Sequence, residues 1–122
     1  MVLKQVLVVD DNEDAATLVV ELLRMRGHSV EVVNGGVEGL EAANVSLPDV
    51  VLLDIGMPVM DGYQVAQALR RATLTCGVCL VALTAWGDAD SRERARESGF
   101  DLHLVKPTNF DALFHAIGSG RP

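Results

Sequence analysis

Short apolar runs alternate along the chain with longer segments that mix apolar and polar residues. Four of the runs are rich in Val and Leu and show no alternation of apolar with polar positions. Continuous runs of this length are typical of strands that are buried on both faces of a parallel sheet. They span Gln5–Val9, 50–53, 78–83 and Leu102–Val105. A fifth run, Ser29–Val33, alternates in part and predicts a strand nearer to an edge of the sheet.

The segments between the runs have the apolar spacing of amphipathic helices. The predicted helices span Glu13–Met25, 36–43, 62–72, 88–98 and 109–117. In the first helix, we expect one apolar face to pack against the sheet. That face carries Ala15, Leu18, Leu22 and Met25. Asn12 is a candidate N-cap for this helix, and Gly27 suits the left-handed conformation that ends a helix.

Strand and helix alternate five times with short loops, which is the pattern of a parallel sheet with helical crossovers. Periodicity alone does not give the strand order. A switch point beside the first strand would bring the first and third strands together, as in the flavodoxin-like order. We therefore predict a flavodoxin-like three-layer α/β sandwich whose five-stranded parallel sheet has the order 2-1-3-4-5, with five helices. We expect one domain over 1–122, with its core at about 4–118 and a tail or linker at 119–122.

Polar residues stand at the carboxyl ends of four predicted strands. Asp10 and Asp11 follow the first strand and Asp54 follows the third. Thr84 follows the fourth strand and Lys106 the fifth. Because the carboxyl ends of parallel strands lie along one edge of the sheet, where ligands bind, we expect these side chains to converge.

Three carboxylates in one crevice repel one another, and a hard divalent cation removes that conflict. Mg²⁺ prefers oxygen ligands and typically takes one or two carboxylates together with substrate phosphate. A carboxylate beside Mg²⁺ can attack a phosphoryl donor and form an aspartyl phosphate, with cationic and hydroxyl groups stabilising the transferred charge. The residues therefore favour phosphoryl transfer to Asp54, with Thr84 and Lys106 beside the transferred group. Each residue alone would also fit a turn, a helix cap or a solvated loop position.

Composition narrows the possible partners. The chain is 49% hydrophobic and 22% charged, as in globular proteins. Its formal net charge of −7 argues against nucleic acid as a direct partner, since phosphate binding needs a basic surface. The apolar runs are too short to span a membrane, and we expect no signal peptide before the first strand. We expect a cytoplasmic domain that binds neither nucleic acid nor membrane.

Two cysteines form a C-x-x-C pair, Cys76 and Cys79. A thioredoxin-like pair opens a helix after a strand, whereas this pair straddles the start of a strand. We expect Cys79 to pack as a small hydrophobe. A zinc site is disfavoured because no second pair with ligand spacing is present and the three histidines are dispersed.

Four segments together resemble the response regulator receiver domain. They are VLVVDDNED at 6–14, LLDIGMPVMDG at 52–62, ALTAW at 82–86 and HLVKP at 103–107. Each segment alone would be a weak signal, but at these spacings the combination is specific, and the resemblance covers essentially the whole chain. The stretch 83–107 looks most like receivers that are attached to hybrid histidine kinases.

The resemblance implies that Asp54 is the phospho-acceptor. It also implies that Asp11 and Asp54, with the backbone carbonyl of Gly56, bind Mg²⁺, and that Asp10 assists through water. Such a domain is a signalling protein that catalyses only its own phosphorylation and dephosphorylation. Its expected donor is a histidine kinase or a histidine phosphotransfer domain.

The resemblance further implies how the signal leaves the site. Thr84 and Lys106 would bind the phosphoryl oxygens, and Thr84 and His103 would switch a face made by the fourth helix, fifth strand and fifth helix, which a downstream protein contacts. Receivers more often have Tyr or Phe at the position of His103. The alternative to a switch role is therefore that His103 is a polar strand residue that faces solvent. Gly56 places no side chain over the site, and Trp86 is expected near its mouth.

Three other functions are alternatives to phosphoryl transfer by a receiver. Dehalogenase-like phosphotransferases carry two acidic residues two positions apart after the first strand, whereas this chain has Asp10 and Asn12. Flavodoxins need a Thr/Ser-Gly-rich phosphate loop at the position where this chain has DDNED. A receiver-fold protein-interaction module that is not phosphorylated remains the main alternative.

Overall fold

A computed structural model describes residues 3–118, in which strands and helices alternate from first to last. The elements are β1 (Gln5–Val9), α1 (Glu13–Met25), β2 (Ser29–Val33), α2 (Gly36–Ser46), β3 (Val50–Asp54), α3 (Gly62–Arg71), β4 (Cys79–Thr84), α4 (Ala89–Ser98), β5 (Leu102–Val105) and α5 (Phe110–Gly118). The tail expected at 119–122 lies outside the described residues. No helix within 3–118 combines the length and the apolar composition needed to span a bilayer.

The five strands form one parallel sheet in the order β2-β1-β3-β4-β5. This arrangement confirms the predicted flavodoxin-like fold. The register brings the carboxyl ends of the strands level with one another: Val9 pairs with Leu53, Asp54 with Leu83, and Thr84 with Val105. Polar residues at the ends of separate strands are therefore placed along one edge.

Two apolar cores cover the two faces of the sheet. One packs α2, α3 and α4 on side chains such as Leu53 and Leu80, and the other packs α1 and α5 on side chains such as Leu52 and Val81. Because β3 and β4 are covered on both sides, every residue of these strands is buried, which explains their continuous apolar runs. Cys79 is buried in the second core, as expected.

The predicted inward face of α1 is wrong in part. Leu18 is 53% exposed and Met25 is 77% exposed, whereas Leu22 is buried together with Val19 and Leu23. Helix α1 carries apolar residues around most of its circumference, so two overlapping stripes satisfy the same helical spacing. Packing against the sheet selects the stripe that contains Val19 and Leu23.

Local signals at the helix ends agree with the structure. The side chain of Asn12 caps α1 by accepting a hydrogen bond from the backbone N–H of Ala15, at 3.0 Å. Gly27 and Gly99 follow α1 and α4 with φ angles of 89° and 108°, which favour glycine. Helix α2 continues to Ser46, past the predicted end at 43, and ends at Leu47 in a left-handed conformation.

Candidate functional site

Three carboxylates meet at the carboxyl edge of the sheet. Asp10 and Asp11 follow β1, and Asp54 is the last residue of β3. One oxygen from each of the three lies within 4.8 Å of the others. Asp10 and Asp54 are buried and Asp11 is exposed, so the cluster opens to solvent on the side of Asp11.

Both carboxylate oxygens of Asp10 accept hydrogen bonds. Its Oδ1 accepts a hydrogen bond from the backbone N–H of Asn12, at 2.9 Å. Its Oδ2 accepts a hydrogen bond from the ammonium of Lys106, also at 2.9 Å. With its side chain 1% exposed, Asp10 has little freedom to change its position. The carboxylates of Asp11 and Asp54 are therefore the ones left to face an incoming ligand.

Lys106 directly follows β5, and its ammonium group contacts two carboxylates of the cluster. The Nζ atom lies 3.3 Å from Oδ1 of Asp54 in addition to its contact with Asp10. Its backbone N–H donates to the carbonyl of Thr84, at 2.7 Å, and the Lys106-Pro107 peptide is cis. Burial lowers the pKa of Lys106, but the hydrogen bond and charge of Asp10 and the charge of Asp54 outweigh burial and raise it. Lys106 therefore remains a cation at neutral pH.

Asp54 is the electrostatically unfavourable member of the cluster. Burial and the charge of Asp10 raise the pKa of Asp54 to about 6, although Lys106 and the backbone N–H of Gly56 act in the opposite direction. The N–H of Gly56 contacts Oδ1 of Asp54 at 3.3 Å. One lysine is thus insufficient to neutralise the cluster, and a further cation would favour the ionised carboxylate.

Thr84 ends β4 on the other side of Asp54. The residue is 1% exposed, and its Oγ1 accepts a hydrogen bond from the backbone N–H of Trp86, at 3.1 Å. Within residues 3–118 its hydroxyl group donates no hydrogen bond. Thr84 can therefore donate to an anionic group placed at the site.

The loop after β3 leaves space over the cluster. A Cβ atom at Gly56 would lie 3.8 Å from the ring of Trp86, so the indole lies beside the loop at a van der Waals distance. Trp86 is 57% exposed. A Cβ atom at Gly62 would come within 2.6 Å of the carbonyl oxygen of Asp54, and this close approach requires glycine at that position.

His103 lies on β5 beside Ala82 of β4, on the face of the sheet that α4 covers. The residue is partly buried, and neither ring nitrogen is exposed or has a hydrogen-bond partner within residues 3–118. Burial and the positive charge of Arg92 lower the pKa of His103, while Asp88 acts in the opposite direction. The ring nitrogens of His103 therefore do not face solvent, in contrast to the alternative considered for this residue in the sequence.

An apolar groove beside the site was not predicted. It has a volume of about 300 Å³ and runs between α1 and the loop after β5. Its lining includes Ala15, Leu18, Leu22, Pro107 and Thr108, together with Asp10 and Lys106 of the acidic site. Ala15, Leu18 and Leu22 belong to the α1 stripe that was expected to face the core. The apolar character of Ala15 and Leu18 is thus the sequence signal for the groove, although helical spacing alone predicts that they face the core. Leu22 belongs both to the core and to the groove wall.

The donor set fits a hard divalent cation. Carboxylate oxygens from two strand ends lie within 4.8 Å of one another, and the carbonyl of Gly56 is in the adjoining loop. Burial and the charge of Asp10 raise the pKa of Asp54, so an added cation would favour its ionised form. Mg²⁺ accepts oxygen ligands of this kind and usually retains several waters, which the open side of the cluster allows.

Comparison with known proteins identifies the family. Residues 6–118 match the response regulator receiver domain. The chain belongs to the response regulator receiver family. This receiver is 39% identical over 108 residues to the sensor histidine kinase RcsC of Salmonella typhi, an alignment that covers 88% of this chain and 11% of RcsC. It is 41% identical over 103 residues to the transcriptional regulatory protein PrrA of Mycobacterium tuberculosis, covering 84% of this chain and 43% of PrrA.

The fold of this chain is also similar to the solved structure of another receiver domain. The receiver domain of the sensor histidine kinase PA1611 of Pseudomonas aeruginosa superposes with a TM-score of 0.89 at 28% identity, covering 97% of each chain. That structure contains a magnesium ion coordinated in the active site cleft. This receiver spans less than half the length of RcsC and PrrA. Receiver domains have histidine kinases or phosphotransfer domains as partners.

Proposed function

We propose that this receiver accepts a phosphoryl group on Asp54 as a step in a two-component phosphorelay. The observation that carries the proposal is the convergence of Asp54 with an ammonium and a buried hydroxyl at one edge of the sheet. Lys106 lies 3.3 Å from Asp54, and Thr84 ends the neighbouring strand. An anionic group attached to Asp54 would meet a cation and a hydrogen-bond donor that are already in place.

The transfer step follows from these positions. A carboxylate oxygen of Asp54 attacks the phosphorus atom of a donor phosphohistidine, a P–O bond forms, and the P–N bond breaks with its electron pair remaining on the imidazole. The ammonium of Lys106 and the hydroxyl of Thr84 then contact the phosphoryl oxygens. Water later hydrolyses the acyl phosphate, so the domain catalyses only its own phosphorylation and dephosphorylation.

We infer that Asp11 and Asp54, with the backbone carbonyl of Gly56, hold Mg²⁺ and that Asp10 assists through water. Asp10 suits an indirect role because both of its oxygens already accept hydrogen bonds. When it is bound, the ion supplies positive charge that neutralises the carboxylates and the incoming phosphoryl group. Asp11 is exposed and can reach a hydrated ion.

The donor is a histidine kinase or a histidine phosphotransfer domain. The phosphohistidine has to approach the open side of the acidic cluster. The apolar groove between α1 and Pro107 adjoins this cluster, because Asp10 and Lys106 are among its lining residues. A donor helix with an apolar face would pack into this groove and cover Leu18. This position would bring the phosphohistidine of the donor close to Asp54. Similarity to part of RcsC supports a receiver within a hybrid histidine kinase, and similarity to PrrA supports a regulator with a separate output domain. We infer a single cytoplasmic domain with its core at about 4–118.

The output surface is the face of α4, β5 and α5. Thr84 lies at the site and His103 lies on β5 against α4, so movement of the two side chains would connect phosphorylation to this face. We expect Thr84→Ala to accept the phosphoryl group and to lose the amide shift changes in Ala89–Ser98 that the phosphate analogue beryllofluoride causes. Wild-type shift changes in Thr84→Ala would remove Thr84 from the switch.

Acetyl phosphate with Mg²⁺ tests the proposed acceptor. The wild-type chain should gain the mass of one phosphoryl group, and hydroxylamine should remove it. Asp54→Asn should show no adduct, whereas Asp14→Asn, which changes an exposed carboxylate on α1, should be modified like the wild type. An adduct of unchanged yield in Asp54→Asn would show that another residue is the acceptor. Absence of an adduct in the wild type would favour the alternative of a protein-interaction module.

A further inference from the structure

His103 is a titratable group at the place where the proposed switch meets α4. Both ring nitrogens are buried and have no partner within residues 3–118. A neutral imidazole carries one N–H donor, whereas the protonated ring carries two. The inward conformation of His103 therefore loses more hydrogen bonding to water when the ring is charged.

The charged groups that face the ring do not compensate for this loss. From α4 and its N-cap these groups are Arg92 and Asp88. The carboxylate of Asp88 already accepts hydrogen bonds from the backbone N–H and the hydroxyl of Ser91, at 3.1 Å and 2.8 Å. The guanidinium of Arg92 donates to the carbonyl of Gly87, at 3.0 Å, which places a positive charge near the ring.

The remaining elements that pack on β5 offer no counter-charge. The residue paired with His103 on β4 is Ala82. Helix α5 packs on the opposite face of the sheet, where Leu102 and Leu104 join the core that contains Leu113. Within residues 3–118 a protonated His103 ring thus finds no acceptor in the inward position, and it gains hydration when it rotates outward.

We propose that His103 makes the output face sensitive to protons: the neutral ring occupies the inward position against α4, and protonation moves it outward, so that acid opposes the phosphorylated conformation. This inference rests on the proposed function: when the hydroxyl of Thr84 moves towards the phosphoryl group, the space that it leaves favours the inward position of the ring. Linkage is reciprocal, so the phosphorylated state must also oppose protonation of His103. Receivers with Phe at this position have no titratable group there and would lack the effect.

An NMR titration tests the proposal on the wild-type chain. The Cε1–H signals of His103 and His28, assigned through bonds, are followed with pH in the presence and absence of Mg²⁺ and beryllofluoride. In the free protein the pKa of His103 should lie below 6.5, in line with its burial. If beryllofluoride strengthens the inward preference tenfold, this pKa should fall by about one further unit. His28 is buried at the opposite edge of the sheet, and its titration should not respond to the ligand.

Three results are distinguishable. A Gly56 amide that responds to beryllofluoride while the pKa of His103 stays constant or rises would overturn the proton-sensitive switch and leave the acceptor site intact. No response at Gly56 or in α4 would refute the proposed function, and the switch with it. In His103→Phe, the α4 shift changes at saturating ligand should become independent of pH. A pH dependence equal to that of the wild type in this variant would also overturn the proposal.

Discussion

Removing the charge of Asp54 should stabilise the metal-free domain. Asp54→Asn keeps the size of the side chain and an oxygen that can accept the hydrogen bond from Gly56. It leaves Lys106 paired with Asp10, at 2.9 Å. The substitution therefore removes the ionised carboxylate and its ion pair with Lys106, at 3.3 Å, but keeps the other contacts of the site.

The magnitude follows from the pKa of Asp54, which rises from 3.8 to about 6 on folding because of burial and the charge of Asp10. Between these values the folded state binds more protons than the unfolded state, so the free energy of unfolding decreases as the pH rises through this interval. A difference of about two pKa units corresponds to about 3 kcal/mol. Because the pocket is open to water on one side, we expect about 1–2 kcal/mol after screening.

Urea unfolding in the presence of a chelator measures this difference. At about pH 7 the Asp54→Asn variant should have the larger free energy of unfolding with an unchanged m-value, and the gap should shrink towards about pH 4. Glu41→Gln, which changes an exposed carboxylate on α2, should show no such gap. Mg²⁺ binds only the folded state and therefore stabilises it. It should stabilise the wild type more than Asp54→Asn, because the variant lacks one of the proposed carboxylate ligands.

A wild-type chain that is equally or more stable than Asp54→Asn at about pH 7 without metal would refute the reasoning. Attraction to Lys106, at 3.3 Å, would then exceed the combined cost of burial and of repulsion by Asp10. The same result would remove the electrostatic argument that the cluster requires a cation.

The other predictions concern the metal, the phosphoryl group, its lifetime and the donor. Asp11→Asn should weaken Mg²⁺ binding, measured by titration calorimetry, and should leave the metal-free domain equally or more stable; a large loss of stability would assign Asp11 a structural role. Lys106→Ala should impair phosphorylation by acetyl phosphate, and Lys106→Arg should restore it only in part because a planar guanidinium differs from a compact ammonium; a wild-type rate in Lys106→Ala would exclude the residue. The fluorescence of Trp86 should change with Mg²⁺ and with beryllofluoride, and Trp86→Ala should shorten the lifetime of the aspartyl phosphate by admitting water; an unchanged lifetime would leave the indole as a loop anchor. Leu18→Asp should slow transfer from a phosphorylated donor protein but not from acetyl phosphate, whereas Val45→Asp, at a residue of α2 that is 86% exposed, should slow neither; equal rates for both variants with the protein donor would exclude the groove.

The sequence determined most of the fold because its decisive signals are local. Continuous apolar runs marked β1, β3 and β4, and their burial on both faces follows directly from that pattern. Asn12 and Gly27 predicted helix ends because capping and left-handed backbone conformation depend on the residue itself. Polar residues at the ends of apolar runs marked the edge of the sheet where a ligand would bind.

Tertiary structure decided which of several equivalent patterns was used. The apolar residues of α1 fit two stripes equally well, and only packing on the sheet left Leu18 exposed beside the groove. The ion pair of Lys106 with Asp10, the raised pKa of Asp54 and the unpartnered ring of His103 each depend on strands that are distant along the chain. Burial and Coulomb interactions act through space, so these properties exist only once the parallel register has brought the strand ends together.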